Sequence, residues 1–442
     1  MPFSLYVINR VCIESFYSNH SFYTACNERK NWERLKLLMQ TYNFCVMSKI
    51  LKIVLMLIFC ACSSEHSKMA VDIERIPVEV HKVTSDASLF IEKIEIVPLE
   101  TTDSSLISGY KKTIYDKNMD IYAIYGKKQV VQTFSGKGEF IGSSRKMKGE
   151  GPQEYHMAVD IKFNPYLKGI DLLSPYGMIY TYSPTFELIA KRTIKTEFYF
   201  DALMALSADD YVFTVPSIWT DQEVTFANLK TQQVEVANYS GTISSDNTMD
   251  RECFYKNDDN LYFVPRGVNY NFYQIDEKKK ELIPIIYLDF GDSEIKEKGL
   301  PGVAVGKRTG TEKTKTDSER NKLSKEIRQR AQFIRESAFV VPLVKFFNDD
   351  YVYIYFAKGK TGFGGNYIYN RKKKKGFLLN EGKPFIMQPC FGIVDNVLMS
   401  IADPYYVSRL VDTRLMSPEE ISKMERLNED DNPVILKYYL RK

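Results

Sequence analysis

Short runs of alternating apolar and polar residues recur along most of the chain, and six of them open in the same way. Each begins on Asp, Asn or Gly and passes directly into β-branched and aromatic residues: Asp120 (D-I-Y-A-I), Gly169 (G-I-D-L-L), Asp210 (D-Y-V-F-T), Asn260 (N-L-Y-F-V), Asp350 (D-Y-V-Y-I-Y) and Asn396 (N-V-L-M-S). A turn residue leading into a period-two apolar run marks the start of a strand. Successive openers lie 49, 41, 50, 90 and 46 residues apart. Internal periods of this size indicate stacked or radial units.

Between the openers the chain supplies further short strands. Gly109 to Tyr115, Asp120 to Tyr125, Gln129 to Phe134 and Phe140 to Lys146 are separated by the turn signals K-N-M-D, Y-G-K-K and S-G-K-G. Val159 to Phe163, Ile170 to Leu173, Met178 to Tyr182 and Glu187 to Ile194 repeat the scheme, and Tyr211 to Val215 and Leu261 to Val264 continue it more loosely. Four antiparallel strands in a meander make one propeller blade, so the prediction is an all-β, six-bladed β-propeller over residues 89–442. Ile91 to Leu99 and Val434 to Leu440 are left over at the two ends. Pairing them within the blade built on Asn396 would close the ring and remove its exposed edges.

Two helices interrupt the pattern. The 90-residue interval contains an insertion at about residues 292–337, with a helix beginning near Ser318 and an apolar stripe of Leu323, Ile327, Ala331 and Ile334 on an otherwise basic surface. Ser417, followed by Pro418, starts a short C-terminal helix reaching Leu427. Arg371 to Lys375 reads as a hairpin turn with solvated charges.

Composition narrows the function classes. Aromatic residues form 13% of the 442, with 30 Tyr and 27 Phe, which suits pleated, half-buried surfaces. The net charge of +4 resides in the leader: seven of the 60 Lys/Arg and three of the 56 Asp/Glu precede residue 62, leaving 53 of each in the remainder. A neutral body argues against nucleic acid as partner, because phosphate binding needs clustered cations. Only Cys253 and Cys390 of the seven cysteines lie in the body, too isolated for a zinc site. They read as two buried thiols, with a single disulfide as the alternative.

The leader has its own logic. Lys49 and Lys52 precede an apolar run, Ile53 to Ala61, which ends in Cys62-Ser63-Ser64. A charged segment followed by a short apolar one is a secretory signal, and the run falls well short of the ~20 residues that span a bilayer. The ending F-C-A-C-S-S resembles a bacterial lipoprotein signal, with Ala61 as the small residue before cleavage and Cys62 as the acylated thiol. Residues 1–46 then form a non-native upstream extension with Met47 as the start, 47–61 the signal peptide and 62–88 a lipidated flexible tether. A cytosolic extension is the rival reading of 1–46. Acylation would anchor the body to a membrane without inserting it.

Gly149-Glu-Gly-Pro-Gln-Glu-Tyr155 resembles the G-x-G-P-x-E-Y signature of the six-bladed β-propeller lipoproteins of anaerobic Gram-negative gut bacteria. I-V-P-L-E-T-T from Ile96 and D-D-N-P-V-I-L from Asp430 are similar to that family's opening and closing segments. The resemblance spans roughly Ile91 to Leu440 and is weakest over Ser240 to Ser337. It implies the propeller fold, an outer-membrane lipid anchor in the cell envelope and Gly149, Gly151, Pro152, Asp431, Asn432 and Pro433 as structural positions.

Catalytic signals are sparse. Of four histidines only His156 lies inside the predicted blades, so a Ser-His-Asp set or a multi-His metal site is not expected. Arg145, Glu154, Tyr155 and His156 flank the signature connection and are the candidate ligand-facing residues. Equally, Gly149, Gly151 and Pro152 shape a turn, Glu154 satisfies its amides and Tyr155 packs. Two functions remain open: a monomeric binding or scaffold module for a glycan, peptide or envelope protein, needing no cofactor, and a propeller-type lyase or lactone hydrolase using carboxylates with Ca²⁺. A ring of Asp, Glu and Asn converging in the channel would favour the second, and an apolar or plugged channel would count against it.

Overall fold

The structure is a computed structural model that describes residues 73–84, 86–196, 199–215, 224–237, 252–257, 260–265, 268–296, 300–301, 316–359, 364–380 and 387–442. The upstream extension, the signal peptide, Cys62 and the first part of the expected tether, to residue 72, lie outside them. Twenty-five strands form six sheets, the blades of a six-bladed propeller. Two strands lie near the N-terminus, β1 (Glu74–Pro77) and β2 (Ile91–Pro98). Blade 1 then follows as β3 (Tyr110–Asp116), β4 (Ile121–Gly126), β5 (Val131–Ser135) and β6 (Phe140–Ser143). Blade 2 comprises β7 (Asp160–Asn164), β8 (Gly169–Leu173), β9 (Met178–Tyr182) and β10 (Leu188–Thr193). Blade 3 comprises β11 (Ala202–Ala205), β12 (Asp210–Thr214), β13 (Val224–Asn228) and β14 (Val234–Val236).

Blade 4 contains β15 (Phe254–Asn257), β16 (Asn260–Phe263), β17 (Asn271–Asp276) and β18 (Glu281–Asp289). Blade 5 contains β19 (Val340–Phe347), β20 (Tyr351–Lys358), β21 (Gly364–Asn370) and β22 (Lys375–Asn380). Blade 6 is β23 (Gly392–Val394), β24 (Val397–Ala402) and β25 (Val434–Leu440), with β2 as its outer strand. The six openers therefore mark the second strand of every blade. At Asp120 (φ 53°) and Asn396 (φ 61°) the opener itself takes the left-handed conformation that short polar side chains tolerate.

Ring closure is as the end strands predict: β2 pairs antiparallel with β25 from Ile91↔Leu440 to Pro98↔Val434. Burial follows position within a blade. β4, β8 and β21 are buried at every residue because neighbouring blades cover both faces, whereas outer β10 alternates between half-buried and exposed. Aromatic side chains fill the gaps between blades. Phe347 meets Tyr262 at 4.8 Å and Phe272 at 5.3 Å between blades 4 and 5.

Two expectations need correction. Within the segment expected to be a flexible tether, β1 adds a fifth strand to blade 4, parallel to β18 with Glu74 opposite Ile286. Arg371, expected to be solvated, holds that strand instead. Its guanidinium donates to the Glu74 carboxylate at 2.5 Å and 3.0 Å and to the Asn348 carbonyl at 2.6 Å. After β1 the chain bridges blade 5 at Val83↔Leu378 and continues into β2, so one N-terminal strap fastens three consecutive blades.

The insertion helix α1 (Asp317–Glu336) starts at a Thr316–Glu319 capping box. Ala331 and Ile334 are buried, and Arg330 beside them donates from Nε to the Pro301 carbonyl at 3.1 Å. Leu323 and Ile327 belong to the side chains not described. The short helix α2 (Pro418–Glu425) has Ser417 as its N-cap. Cys253 and Cys390 are both buried thiols, as the first of the two readings expects.

Connections alternate between the two ends of the blades, and the ends differ sharply. At one end every connection within a blade is a short turn, such as 117–120, 277–280 and 395–396. At the other end lie the inter-blade connections and the second-to-third-strand connections. These range from the tight turn 127–130 to the long stretch 290–339 that links β18 to β19, and they include 403–433 between β24 and β25.

Candidate functional site

The signature connection between β6 and β7 is built at that second end. A 3-10 turn (Ser144–Met147) leads into Gly149, whose N–H donates to the Tyr155 carbonyl at 3.1 Å, while the Tyr155 N–H donates to Met147 at 2.9 Å. Glu154 accepts the Gly151 N–H at 2.9 Å. A Cβ on Gly149 would stand 2.0 Å from the Glu154 carboxylate, so a larger residue there would displace that carboxylate from the turn. Tyr155 is fully buried, and its hydroxyl lies 2.6 Å from Ser144 Oγ and 2.7 Å from the Gln129 carbonyl. Burial pushes that phenol up to about 12.

Glu154 and Tyr155 thus hold the turn together. Arg145 and His156 are exposed, and His156 Nδ1 sits 2.7 Å from the Glu150 carboxylate. Of the four candidate residues only His156 lines a depression of about 620 Å³, together with Lys127, Lys128, Gln129, Lys148, Gly149 and Met157. Replacing Glu154 by alanine should cost about 1 kcal/mol through the lost acceptor. Equilibrium denaturation checks this, and an unchanged midpoint would remove Glu154 from the turn's support.

The closing segment is equally architectural. Asn432 is 1% exposed; its amide donates to the carbonyls of Glu100 (2.7 Å) and Ser105 (2.9 Å) and accepts the Ile107 N–H at 2.8 Å. It locks the last blade to the entry of the first. Asp431 accepts the Asn428 N–H at 2.8 Å, and the Pro433 carbonyl accepts from Leu99.

On the propeller axis the structure assembles a group that the sequence did not reveal. The first strands of the blades pack around the axis, and there Lys112 of β3 meets Asp160 of β7 at 2.6 Å and Glu252, just before β15, at 3.3 Å. Lys162 of β7 pairs with the other Glu252 oxygen at 2.7 Å and donates to the Phe254 carbonyl at 2.7 Å. The second Asp160 oxygen accepts the Leu203 N–H of β11 at 3.0 Å. Blades 1 and 4 stand opposite each other in a ring of six, so the Lys112–Glu252 pair bridges the axis.

Electrostatics agree with that geometry. Burial alone would lower Lys112, but Asp160 and Glu252 outweigh it and hold the ammonium above its ordinary range. Burial would likewise raise Glu252, and Lys112 with Lys162 keeps it below the ordinary carboxylate value. All four carboxylate oxygens have donors. Among the described residues no group of three or more His, Cys, Asp and Glu converges as metal ligands.

Lys345 on β19 shows the opposite case. It is 5% exposed and donates to the Asn269 carbonyl at 2.5 Å, and with no carboxylate to offset it burial lowers its pKa from 10.5 to about 7. Between those two values the unfolded chain binds more protons than the folded one, so stability rises with pH. Thermal midpoints measured from pH 7 to 10 should show this rise, and Lys345→Met should flatten it; parallel profiles would refute the assignment.

The fold and its ion-bridged axis define the class: a six-bladed β-propeller. By sequence the chain belongs to the family described as "Domain of unknown function (DUF4934)", which matches over residues 73–439. No curated protein matches it. Among solved structures, a protein of Bacteroides fragilis described as exported is similar with a TM-score of 0.61 at 14% identity, covering 84% of this chain and 100% of that one. The β-propeller domain of Cps50 (Swd1) from Myceliophteria thermophila is similar with a TM-score of 0.33 at 9% identity, over 65% of this chain and 90% of that one.

Proposed function

We propose that this chain is an exported lipoprotein of the cell envelope, anchored through Cys62 to the outer membrane, whose propeller holds a glycan, peptide or protein partner. The observation that carries the binding role is the asymmetry of the connections. One end of the blades is trimmed to tight turns, while the other gathers the extended connections from blade to blade, including α1, the signature turn and, within blade 6, α2. Binding residues concentrate on loops held by a rigid scaffold. The axial acids argue against the lyase or hydrolase alternative, because Asp160 and Glu252 spend their oxygens on lysines and a backbone amide.

Export is supported by the charged and apolar leader ending at Cys62, and the Bacteroides fragilis protein of the same fold is described as exported. Intact mass of the mature protein should show loss of residues 1–61 and an acylated Cys62, with Cys62→Ser abolishing lipid labelling. An unmodified chain beginning at Met1 would overturn the anchor. For the body, a glycan and peptide binding screen with and without divalent metal should find a ligand that is released unchanged. Ligand turnover dependent on Ca²⁺ would replace this reading with the enzymatic one.

A further inference from the structure

The neutral average of the body conceals a local excess of charge at one end of blade 1. Lys111 opens β3, Lys127 and Lys128 form the β4–β5 turn, and Arg145, Lys146 and Lys148 enter the signature connection; all six are exposed. None of them pairs with a described carboxylate. The two acids of that connection are occupied, Glu150 by His156 and Glu154 by the Gly151 amide. Like charges gathered without counter-ions repel one another, so the arrangement costs stability unless an anion offsets it.

The lysines are also positioned. The Lys127 stem lies over Gly109, where an added Cβ would stand 3.0 Å from it, and Lys148 Nζ donates to the Lys128 carbonyl at 2.9 Å. Lys127, Lys128 and Lys148 therefore surround the depression of about 620 Å³, with Gln129 and His156 as further hydrogen-bonding groups. That volume lies within the range of small-ligand sites. The cations are separate lysine point charges on an open surface, a pattern that meets anionic groups spaced along a chain rather than one enclosed phosphate.

The same end of the neighbouring blade carries an aromatic pair. Tyr176 in the β8–β9 turn is 64% exposed, and its ring lies 5.0 Å from Tyr199 in the connection to blade 3, with the hydroxyls 3.2 Å apart. Such a pair offers an apolar face and hydroxyls together, which suits the alternating CH and OH surfaces of a sugar ring.

We propose that this basic end of blade 1 binds an anionic polysaccharide, with Lys127, Lys128 and Lys148 holding its carboxylate or sulfate groups and Tyr176 contacting a neighbouring sugar. The proposal rests on reading the chain as a binding protein and names the ligand class. Nucleic acid and acidic polypeptide are the competitors, and the tyrosine pair favours the sugar over both.

The test uses the full chain with polygalacturonate, dextran sulfate, neutral dextran, polyglutamate and duplex DNA, by affinity electrophoresis and calorimetry. Polygalacturonate or dextran sulfate should bind, more weakly as salt rises, and neutral dextran should not. The triple variant Lys127→Gln/Lys128→Gln/Lys148→Gln should lose at least tenfold in affinity at a melting midpoint no lower than the wild type's. Lys137→Gln/Lys278→Gln, at the tight-turn end, should lose none, and Tyr176→Ala should weaken polysaccharide but not polyglutamate. Tighter binding of polyglutamate or DNA than of either polysaccharide overturns the ligand class. Binding of neutral dextran or a peptide that the triple variant leaves intact overturns this site while the wider binding reading stands. Absence of binding to either anionic polysaccharide overturns the proposal outright.

Discussion

Lys112→Met is expected to destabilise the folded body by about 3–5 kcal/mol, the usual consequence of removing one partner from a buried ion pair. The side chain is 5% exposed and serves two acids at once, Asp160 at 2.6 Å and Glu252 at 3.3 Å. Glu252 would keep Lys162, while Asp160 would lose the Lys112 ammonium and keep the Leu203 amide. Chemical denaturation reads the loss. A change below about 1 kcal/mol would mean that the axis is wet enough to screen the pair.

The pH dependence supplies a second readout. Because Glu252 is held below its ordinary value of 4.5, its contribution is complete above that value and is lost as the pH falls through the folded pKa. With Lys112 gone, one of the two cations that depress Glu252 goes too. Acid destabilisation should then begin at a higher pH in the variant than in the wild type.

Asn432→Ala is the second large effect, expected at about 3 kcal/mol on the usual cost of leaving buried polar groups unsatisfied. It orphans the Ile107 N–H in a buried site and removes a donor from two carbonyls. Some compensation is built in: the Ser105 carbonyl also accepts from Gln132 at 2.6 Å, and the Glu100 carbonyl from Ser105 Oγ at 2.7 Å. Hydrogen exchange should therefore accelerate first between Leu99 and Ile107 and then along β25. An unchanged denaturation midpoint, or unchanged exchange in that segment, would show that Asn432 does not hold the joint.

What could be read in advance was local. An opener such as Asp120 announces a strand through its own turn chemistry and the residues that follow at once, and the signature turn encloses its own hydrogen-bond partners within a few positions. The ring's closure was legible because two orphan strands needed edges. Features that depend on distant partners were not. β1 is only E-R-I-P, and its pairing partner lies three blades further along the chain in β18, where Glu74 stands opposite Ile286. Arg371 looked solvated because Glu74 lies 297 positions away.

The axial group is the extreme case. Lys112, Asp160 and Glu252 come from three blades and meet only after the ring has closed. The one local hint is a lysine flanked by strand residues in K-K-T-I-Y, which is also how a surface strand reads. Positive φ at Phe186 (66°) and Lys374 (49°) was equally hidden, since neither residue type signals a left-handed turn.

Placement of β25 between β24 and β2 has a consequence for the life of the chain. The final strand is an interior one, flanked on both sides, and its partner β2 was made before any complete blade had been synthesised. A polypeptide cut short before Val434 would lose the middle of a blade, baring the edges of β24 and β2 together. Exposed edges of that kind invite aggregation and proteolysis. Truncation before Val434 therefore leaves an open particle that a protease can recognise, and translation of this last-paired strand is what makes ring closure possible.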